Sequence, residues 1–370
     1  MLPTFLNNIK ELHPAQTDLF QKSITQNQLG HAYLLYGYEG VGKEAFAIEL
    51  AAHLLCETGP LSRCGQCSSC RQMNNLWHPD FYYVFPVPSK SNMDENTITQ
   101  AKKIKSQNPF VDIRMATKNI FIGIEAIRNL KNELYKHPQQ GERKVALIQD
   151  VDTMRTEGAN ALLKILEEPP PYVYFVLTTS KISRLLPTIL SRCQLVHFDR
   201  PVSDKIHDTL GHYLKTDNSP DLTNSLRFAN LNIKKALYYL NEDFYSTKNA
   251  SADFFKYLLQ KEWSLAHAEL INIINKKDNR TLQLFLEFVI VYFFDLFYYL
   301  SDEISLIKNS DMVEYFQEHN FPVKNIPWIS QNIEVIIQFK DTLDSPFNLN
   351  IFLVMDAMYH KLKKIVSHFN

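Results

Sequence analysis

Two clusters in this 370-residue sequence combine residue types and spacings that suit chemistry. The first is Gly37-Tyr38-Glu39-Gly40-Val41-Gly42-Lys43-Glu44, which follows a predicted strand and opens a predicted helix. In that context a G-x-x-x-x-G-K-[ST] loop offers backbone N–H groups and a helix N-terminus to phosphate, and its lysine reaches the terminal phosphates. Gly37, Gly42 and Lys43 fit the pattern. Glu44 replaces the hydroxyl that would hold Mg²⁺, and its negative charge beside the phosphates is expected to weaken nucleotide–metal binding. Lys43 argues against a simple glycine turn, and residual binding of an anion or nucleotide stays open.

A complete nucleotide-hydrolysing site also needs a strand ending in adjacent acidic residues, one on Mg²⁺ and one positioning water. Lys144–Ile148 is such a strand, but Gln149 and Asp150 follow it. Shifting the pattern by one residue makes Asp150 the metal ligand and leaves Val151 as its companion. Neither alignment gives the pair. Two separate defects in one site predict a phosphate loop that does not hydrolyse ATP efficiently.

The second cluster is Cys56, Cys64, Cys67 and Cys70, spaced C-x7-C-x2-C-x2-C. Four thiolates suit a tetrahedral Zn²⁺, with Gly65 permitting the tight turn, and a closed sulfur site leaves no position for substrate, so the ion is structural. Free thiols or a redox pair are the alternative, which the crowding of the four disfavours. The fifth cysteine, Cys193, reads as a small buried residue.

These residues need a scaffold. Up to about Phe198 the chain alternates apolar runs with helical patterns, the mark of an α/β layer fold. Strands are expected at His31–Tyr36, Phe81–Phe85, Asn119–Ile122, Lys144–Ile148, Tyr172–Thr178 and Gln194–Phe198. Helices are expected at Lys43–Cys56, Ile124–Lys136 and Thr156–Glu167, the last halted by Pro169–Pro171, since proline cannot continue a helix. The polar stretch 86–118 (Ser89, Lys90, Ser91, Asn92, Asp94, Glu95, Asn96) reads as a surface insertion, with Lys102, Lys103 and Lys105 on a solvated face. Beyond Pro201 the strand pattern stops: Ser203–Glu242 holds short helices, and Phe244–Asn370 is helical with breaks at Pro322, Pro327 and Pro346.

Composition narrows the class. Hydrophobic residues are 45 % and charged residues 21 % of the chain, which excludes disordered, collagen-like and small disulfide-stapled proteins. Lys plus Arg number 39 against 40 Asp plus Glu, a net charge of −1. A chain that neutralises many phosphates alone carries a basic excess, so contact with nucleic acid is expected to be shared with partners. The N-terminus lacks the basic and apolar regions of a signal peptide. Glu287 and Asp295 interrupt the apolar stretch Leu282–Leu300, so no membrane span and a cytoplasmic location are expected. Phe285, Val289, Tyr292, Leu296 and Tyr299 form one helical stripe, with Phe288, Val291, Phe294 and Phe297 loading other faces. Such a helix should be buried on more than one side. Ile351, Val354, Met355, Met358, Leu362 and Ile365 form a second stripe, opposite Lys361, Lys363 and Lys364.

Three further runs carry a resemblance: Asn160-Ala161-Leu162-Leu163-Lys164-Ile165-Leu166-Glu167-Glu168-Pro169-Pro170, Thr178-Thr179-Ser180, and Thr188-Ile189-Leu190-Ser191-Arg192-Cys193. With the phosphate loop, the cysteine cluster, His31–Leu35, His78-Pro79-Asp80 and Ile124–Arg128, they resemble the bacterial DNA polymerase III clamp loader, an AAA+ family. The incomplete site resembles its delta-prime subunits rather than the ATP-hydrolysing tau/gamma subunits, and the likeness is specific over about 28–198. The resemblance implies an AAA+ core at 1–199 with a zinc module at 56–70, a helical lid at 200–243 and an all-α collar at 244–370. It implies assembly with tau/gamma and delta subunits, and action on a sliding clamp and primer–template DNA through the complex, with ATP weakly bound or absent in this chain. It also implies that Arg192 is a finger supplied in trans to a neighbour's ATPase site; a salt bridge at its own domain edge is the alternative. Thr178 and Thr179 fall in the sensor 1 region, where a strand-end structural role is the expected one here. Lys234 falls near sensor 2, where an active subunit would carry arginine. An ATP-hydrolysing subunit and a zinc-dependent nucleic-acid module are the competing readings, opposed respectively by Glu44 with Gln149 and by the near-neutral charge.

Overall fold

The computed structural model describes residues 7–59, 63–88, 95–111, 120–201, 205–206, 208–210, 220–240, 243–275, 279–309, 311–319, 321, 326–343 and 350–367. Ser89 to Asp94, Pro322 and Pro346 lie outside the described residues. The chain divides into two compact units, Met1–Tyr238 and Tyr239–Asn370.

The first unit is organised by strands β1 (Ala32–Gly37), β2 (Phe81–Val84), β5 (Lys144–Ile148), β6 (Val173–Thr179) and β7 (Gln194–Phe198). They form a parallel sheet in the order β2-β5-β6-β1-β7. Parallel strands covered on both faces read as continuous apolar runs, and every residue of β5 is buried. Ala32 pairs with Phe175 and Tyr36 with Thr179, while Gly37 pairs with Phe198 at the sheet's end. A Cβ on Gly37 would stand 2.1 Å from the Phe198 carbonyl oxygen, and its φ is +138°. Glycine is therefore required where β1 turns into the loop.

The flanking helices follow from spacing. Ile127, Leu130 and Leu134 form the buried face of Ile124–Leu134, and Ala159, Leu162, Ile165 and Leu166 that of Thr156–Glu167. Both faces join the core around Ala146, Ile148, Phe175 and Leu177. The run expected as a strand at Asn119–Ile122 does not enter the sheet. Of its described residues, Ile120–Phe121 form β4, which pairs antiparallel with β3 (Val87–Pro88) in a separate two-stranded ribbon. Ile122 makes an isolated bridge to Met154, so the run is taken up by these local pairings instead of a ladder of the main sheet. The polar insertion is also more structured than expected, containing the helix Glu95–Gln107.

The second unit is helical: Asp243–Leu259, Trp263–Asn275, Asn279–Leu300, Asp311–His319, Ile326–Leu343 and Ile351–Ser367. Phe285, Val289, Tyr292 and Leu296 are buried as their stripe requires, and so are Phe288 and Phe293 on other faces, whereas Phe294 is exposed. The Phe254 ring packs on Phe285, Phe255 on Tyr292 and Phe293, and Trp328 on Phe293. By length and composition Thr281–Leu300 is long and apolar enough to cross a membrane, with mean hydropathy 1.6. It carries a fully buried Asp295, whose carboxylate accepts the N–H groups of Lys308 (2.7 Å) and Asn309 (3.0 Å) and the Asn309 side-chain amide (2.6 Å). Burial pushes the Asp295 pKa up, and the three hydrogen bonds offset part of that desolvation. On the last helix Met355, Met358 and Leu362 are buried together with Tyr359 and Val366, while Phe352 and Leu353 are exposed.

Candidate functional site

The phosphate loop stands at the carboxyl ends of β1, β5 and β6. The connections from the neighbours β1 and β6 leave in opposite directions, toward β2 and β7, and ligands of open α/β sheets bind at such a divide. Gly40 and Gly42 hold φ of +72° and +98°, left-handed values that an L side chain resists. The helix Lys43–Leu54 begins directly after Gly42. The loop is anchored from two sides. His13 Nε2–H donates to the Val41 carbonyl (2.8 Å), and the Ile233 N–H, opening the helix Ile233–Tyr239, donates to the Gly40 carbonyl (2.8 Å).

Lys43 is turned onto this same loop. Its Nζ donates to the carbonyls of Gly37 (3.1 Å) and Tyr38 and to Ser180 Oγ (3.2 Å). Burial, reinforced by the nearby Lys234 ammonium, pushes its pKa down to about 8. Glu44 is buried as well, at 4 % exposure. Its carboxylate is not the bare negative charge expected from the sequence: Lys105 Nζ lies 2.6 Å from Oε2 and Lys234 Nζ 3.7 Å from it, and the Tyr83 hydroxyl lies within bonding reach of Oε1. Lys105 thus corrects the solvated-face reading. Its side chain is wholly buried, because only there can the ammonium meet a carboxylate that would otherwise be desolvated and unpaired.

Opposite Glu44, Gln149 Oε1 shares the Tyr83 hydroxyl (2.6 Å), and its amide donates to Asp150 Oδ2 (2.9 Å). Burial pushes the Asp150 pKa up. Thr178 Oγ1 accepts the Asp150 N–H (3.1 Å), and Thr179 Oγ1 donates to Asp152 (2.7 Å). The two threonines therefore tie the ends of β5 and β6 together. The pocket among Gly42, Glu44, Phe110, Asp150, Ser180 and Lys234 is about 20 Å³, the room one or two waters need.

His13 gives this region a pH dependence. It is 3 % exposed, and burial, with a smaller contribution from the Lys43 charge, pushes its pKa down from 6.5 to about 4. As pH falls the unfolded chain takes up this proton before the folded one does. Stability is therefore full above pH 6.5 and is lost as pH falls toward 4, by about 3 kcal/mol in all. Denaturant midpoints across that range should show the slope, and His13→Gln, whose amide can still donate to Val41, should flatten it.

The cysteine cluster comes together as its spacing requires. All four sulfurs lie within 4.8 Å of one another, with Cys56–Cys70 at 3.6 Å, Cys56–Cys64 at 3.7 Å, and Cys56–Cys67 and Cys64–Cys70 at 3.9 Å. Four sulfurs around zinc at about 2.3 Å make a tetrahedron with edges of roughly 3.8 Å. None of the cysteines is in a disulfide. The N–H groups of Cys64, Cys67 and Cys70 point at the sulfurs of Cys56, Cys64 and Cys67 (3.3–3.4 Å), as thiolates require. The donor set fits a closed structural zinc site. Beside it, Glu57 accepts the Ser69 N–H (3.2 Å) and the Gln140 amide (2.8 Å), His78 Nε2 meets Ser69 Oγ (3.0 Å), and buried Asp80 accepts the N–H groups of Gln139 and Gln140. The His78-Pro79-Asp80 run thus fastens the module to the start of β2.

Arg192 follows the short helix Pro187–Leu190 and precedes β7. Its guanidinium contacts Glu167 Oε1 (2.7 Å) and the Thr188 carbonyl (2.9 Å), so within the single chain it makes the domain-edge ion pair. Cys193 is half-buried against the sheet core, and burial pushes its thiol up to about 11. Sequence reasoning missed His13, Tyr83, Lys105 and Phe110. None lies in a motif, and each reaches the loop from at least 28 residues away.

A model of the family described as DNA polymerase III, delta subunit, matches residues 12–202. The chain is similar to DNA polymerase III subunit delta′ of Pseudomonas aeruginosa, 33 % identical over 184 residues that cover 50 % of this chain and 47 % of that protein. It is similar to the Bacillus subtilis subunit delta′, 30 % identical over 242 residues covering 65 % and 63 %. Subunit tau of Escherichia coli is 32 % identical over 196 residues, 53 % of this chain and 26 % of that one. The chain spans about half the length of most curated delta′ relatives it matches.

Proposed function

This chain belongs to the family of the DNA polymerase III delta subunit, and from that premise we propose that it is the non-hydrolysing, delta-prime-like subunit of a replication clamp loader. It works with tau/gamma and delta subunits to place a sliding clamp on primed DNA. The observation that carries the reading is Glu44: a buried carboxylate, already paired with ammonium groups, stands where a metal-binding hydroxyl is needed. Gln149 in place of a metal-binding carboxylate supports it from the opposite strand. Glu44 also separates this reading from that of a tau-like hydrolase, to whose relatives the chain is similar as well. A closed zinc module at Cys56, Cys64, Cys67 and Cys70 serves the fold rather than the reaction.

In this reading 1–199 is the AAA+ core, 200–243 its lid and 244–370 a collar that joins neighbouring subunits, with Phe352 and Leu353 available to the contact. Arg192 lends its charge to the ATP held by the next subunit. Its always-charged planar fork suits phosphate oxygens, and a finger supplied from outside a site stabilises charge on the transferring phosphoryl group.

Purification of the tagged full chain from cells tests the assignment. Recovery with tau/gamma and delta, and no phosphate release by the chain alone, is the expected outcome. Recovery without either partner, or steady hydrolysis by the chain alone, refutes it.

A further inference from the structure

We infer that the end of the Glu95–Gln107 helix and the Pro109-Phe110 turn after it form an internal stopper of the phosphate loop, in which the Lys105 ammonium takes the place of a metal cation against Glu44 and excludes magnesium nucleotide. This rests on the non-hydrolysing reading and deepens it, because it names what fills the pocket.

Geometry supports the stopper from three directions. Lys105 Nζ bonds Glu44 Oε2 at 2.6 Å and the Pro109 carbonyl at 3.3 Å, with the two side chains 0 % and 5 % exposed. Carboxylate and carbonyl oxygens are the ligands a hard divalent ion would seek, and here an ammonium of the same chain already holds them. Phe110 is 2 % exposed, and its ring edge lies 3.0 Å from where a Cβ on Gly42 would stand. The ring therefore packs against the Gly42 turn and lines the pocket that a phosphate would enter. The Asn108 side chain accepts the Phe110 N–H (3.0 Å) and fixes the turn that presents it. On the third side Lys43 is bonded to carbonyls of its own loop.

A ligand must therefore displace a ring, an ion pair and a lysine together. Glu44 alone would predict weak metal binding with the pocket open, whereas the stopper predicts that the pocket itself is shut.

Fluorescent ADP, with and without Mg²⁺, is titrated into the full chain and into Lys105→Met/Phe110→Ala, with thermal melts confirming the fold. The expected result is saturable binding by the variant and none by the native chain at nucleotide concentrations about tenfold above the variant's midpoint. If loss of Lys105 alone unfolds the chain by stranding Glu44, Glu44→Gln/Lys105→Met/Phe110→Ala removes both charges together without supplying a metal-binding hydroxyl. Native chain that binds nucleotide as tightly as the variants overturns the stopper, and so do folded variants that bind none. Binding by the native chain without turnover overturns the stopper alone; turnover by it also overturns the non-hydrolysing reading.

Discussion

Replacing Arg192 by alanine in the assembled complex is expected to slow ATP turnover at the adjoining site by about a thousandfold, the lower end of what an arginine finger contributes. Folding and assembly should be unaffected. The guanidinium is tied to Glu167 at 2.7 Å, but the two side chains are 32 % and 48 % exposed, and an ion pair so open to solvent is worth about 0–1 kcal/mol. Re-aiming Arg192 from Glu167 to a phosphate would therefore cost little compared with the several kcal/mol that a finger in this position would return in the transition state. Arg192→Lys should fail nearly as badly, because a point charge lacks the planar fork of donors. Single-turnover phosphate release from complexes of verified composition measures both. Unaltered release with Arg192→Ala would leave the Glu167 pair as the whole role of this residue.

The second large effect is at the cysteine module. One zinc per chain is expected in protein purified without chelators, and Cys64→Ala or Cys70→Ser should abolish it. Zinc bound by four thiolates supplies apparent binding energy of about 10–16 kcal/mol at neutral pH. The segment it organises is short, and its helix Ser68–Met73 has six residues, too few to persist alone. Loss of metal should therefore open this helix while β5 and β6 stay protected, which hydrogen exchange resolves residue by residue. Metal analysis that finds no zinc, or thiol titration that finds a disulfide, contradicts the assignment.

The sequence carries this fold wherever local pattern and burial agree. Lys144–Ile148, Thr156–Glu167 and Gln194–Phe198 have the bounds that their apolar runs and the Pro169–Pro171 stop predict. The loop glycines and the four cysteines are legible because a turn or an ion fixes their spacing. Lys105 is not, since its partner Glu44 is 61 residues away and a lysine among polar residues reads as solvated until a buried carboxylate is found facing it. His13 is invisible for the same reason. The Asn119–Ile122 run had strand composition, but position in the sheet is decided by neighbours, and β2 occupies the edge beside β5.

Asp295 has a consequence during synthesis as well as in the finished unit. Thr281–Leu300 emerges from the ribosome before the helices that follow it exist, and at that moment it is a long apolar segment facing the cell's insertion apparatus. Asp295 lies five residues from the end of that segment and Glu287 nearer its middle. A charge at the centre of a membrane helix costs about 2.5–3.5 kcal/mol and one off the centre less. The carboxylate that later gathers the Lys308 and Asn309 amides is therefore expected, together with Glu287, to disfavour insertion of the nascent segment into a bilayer, which removing both charges and measuring membrane insertion would test.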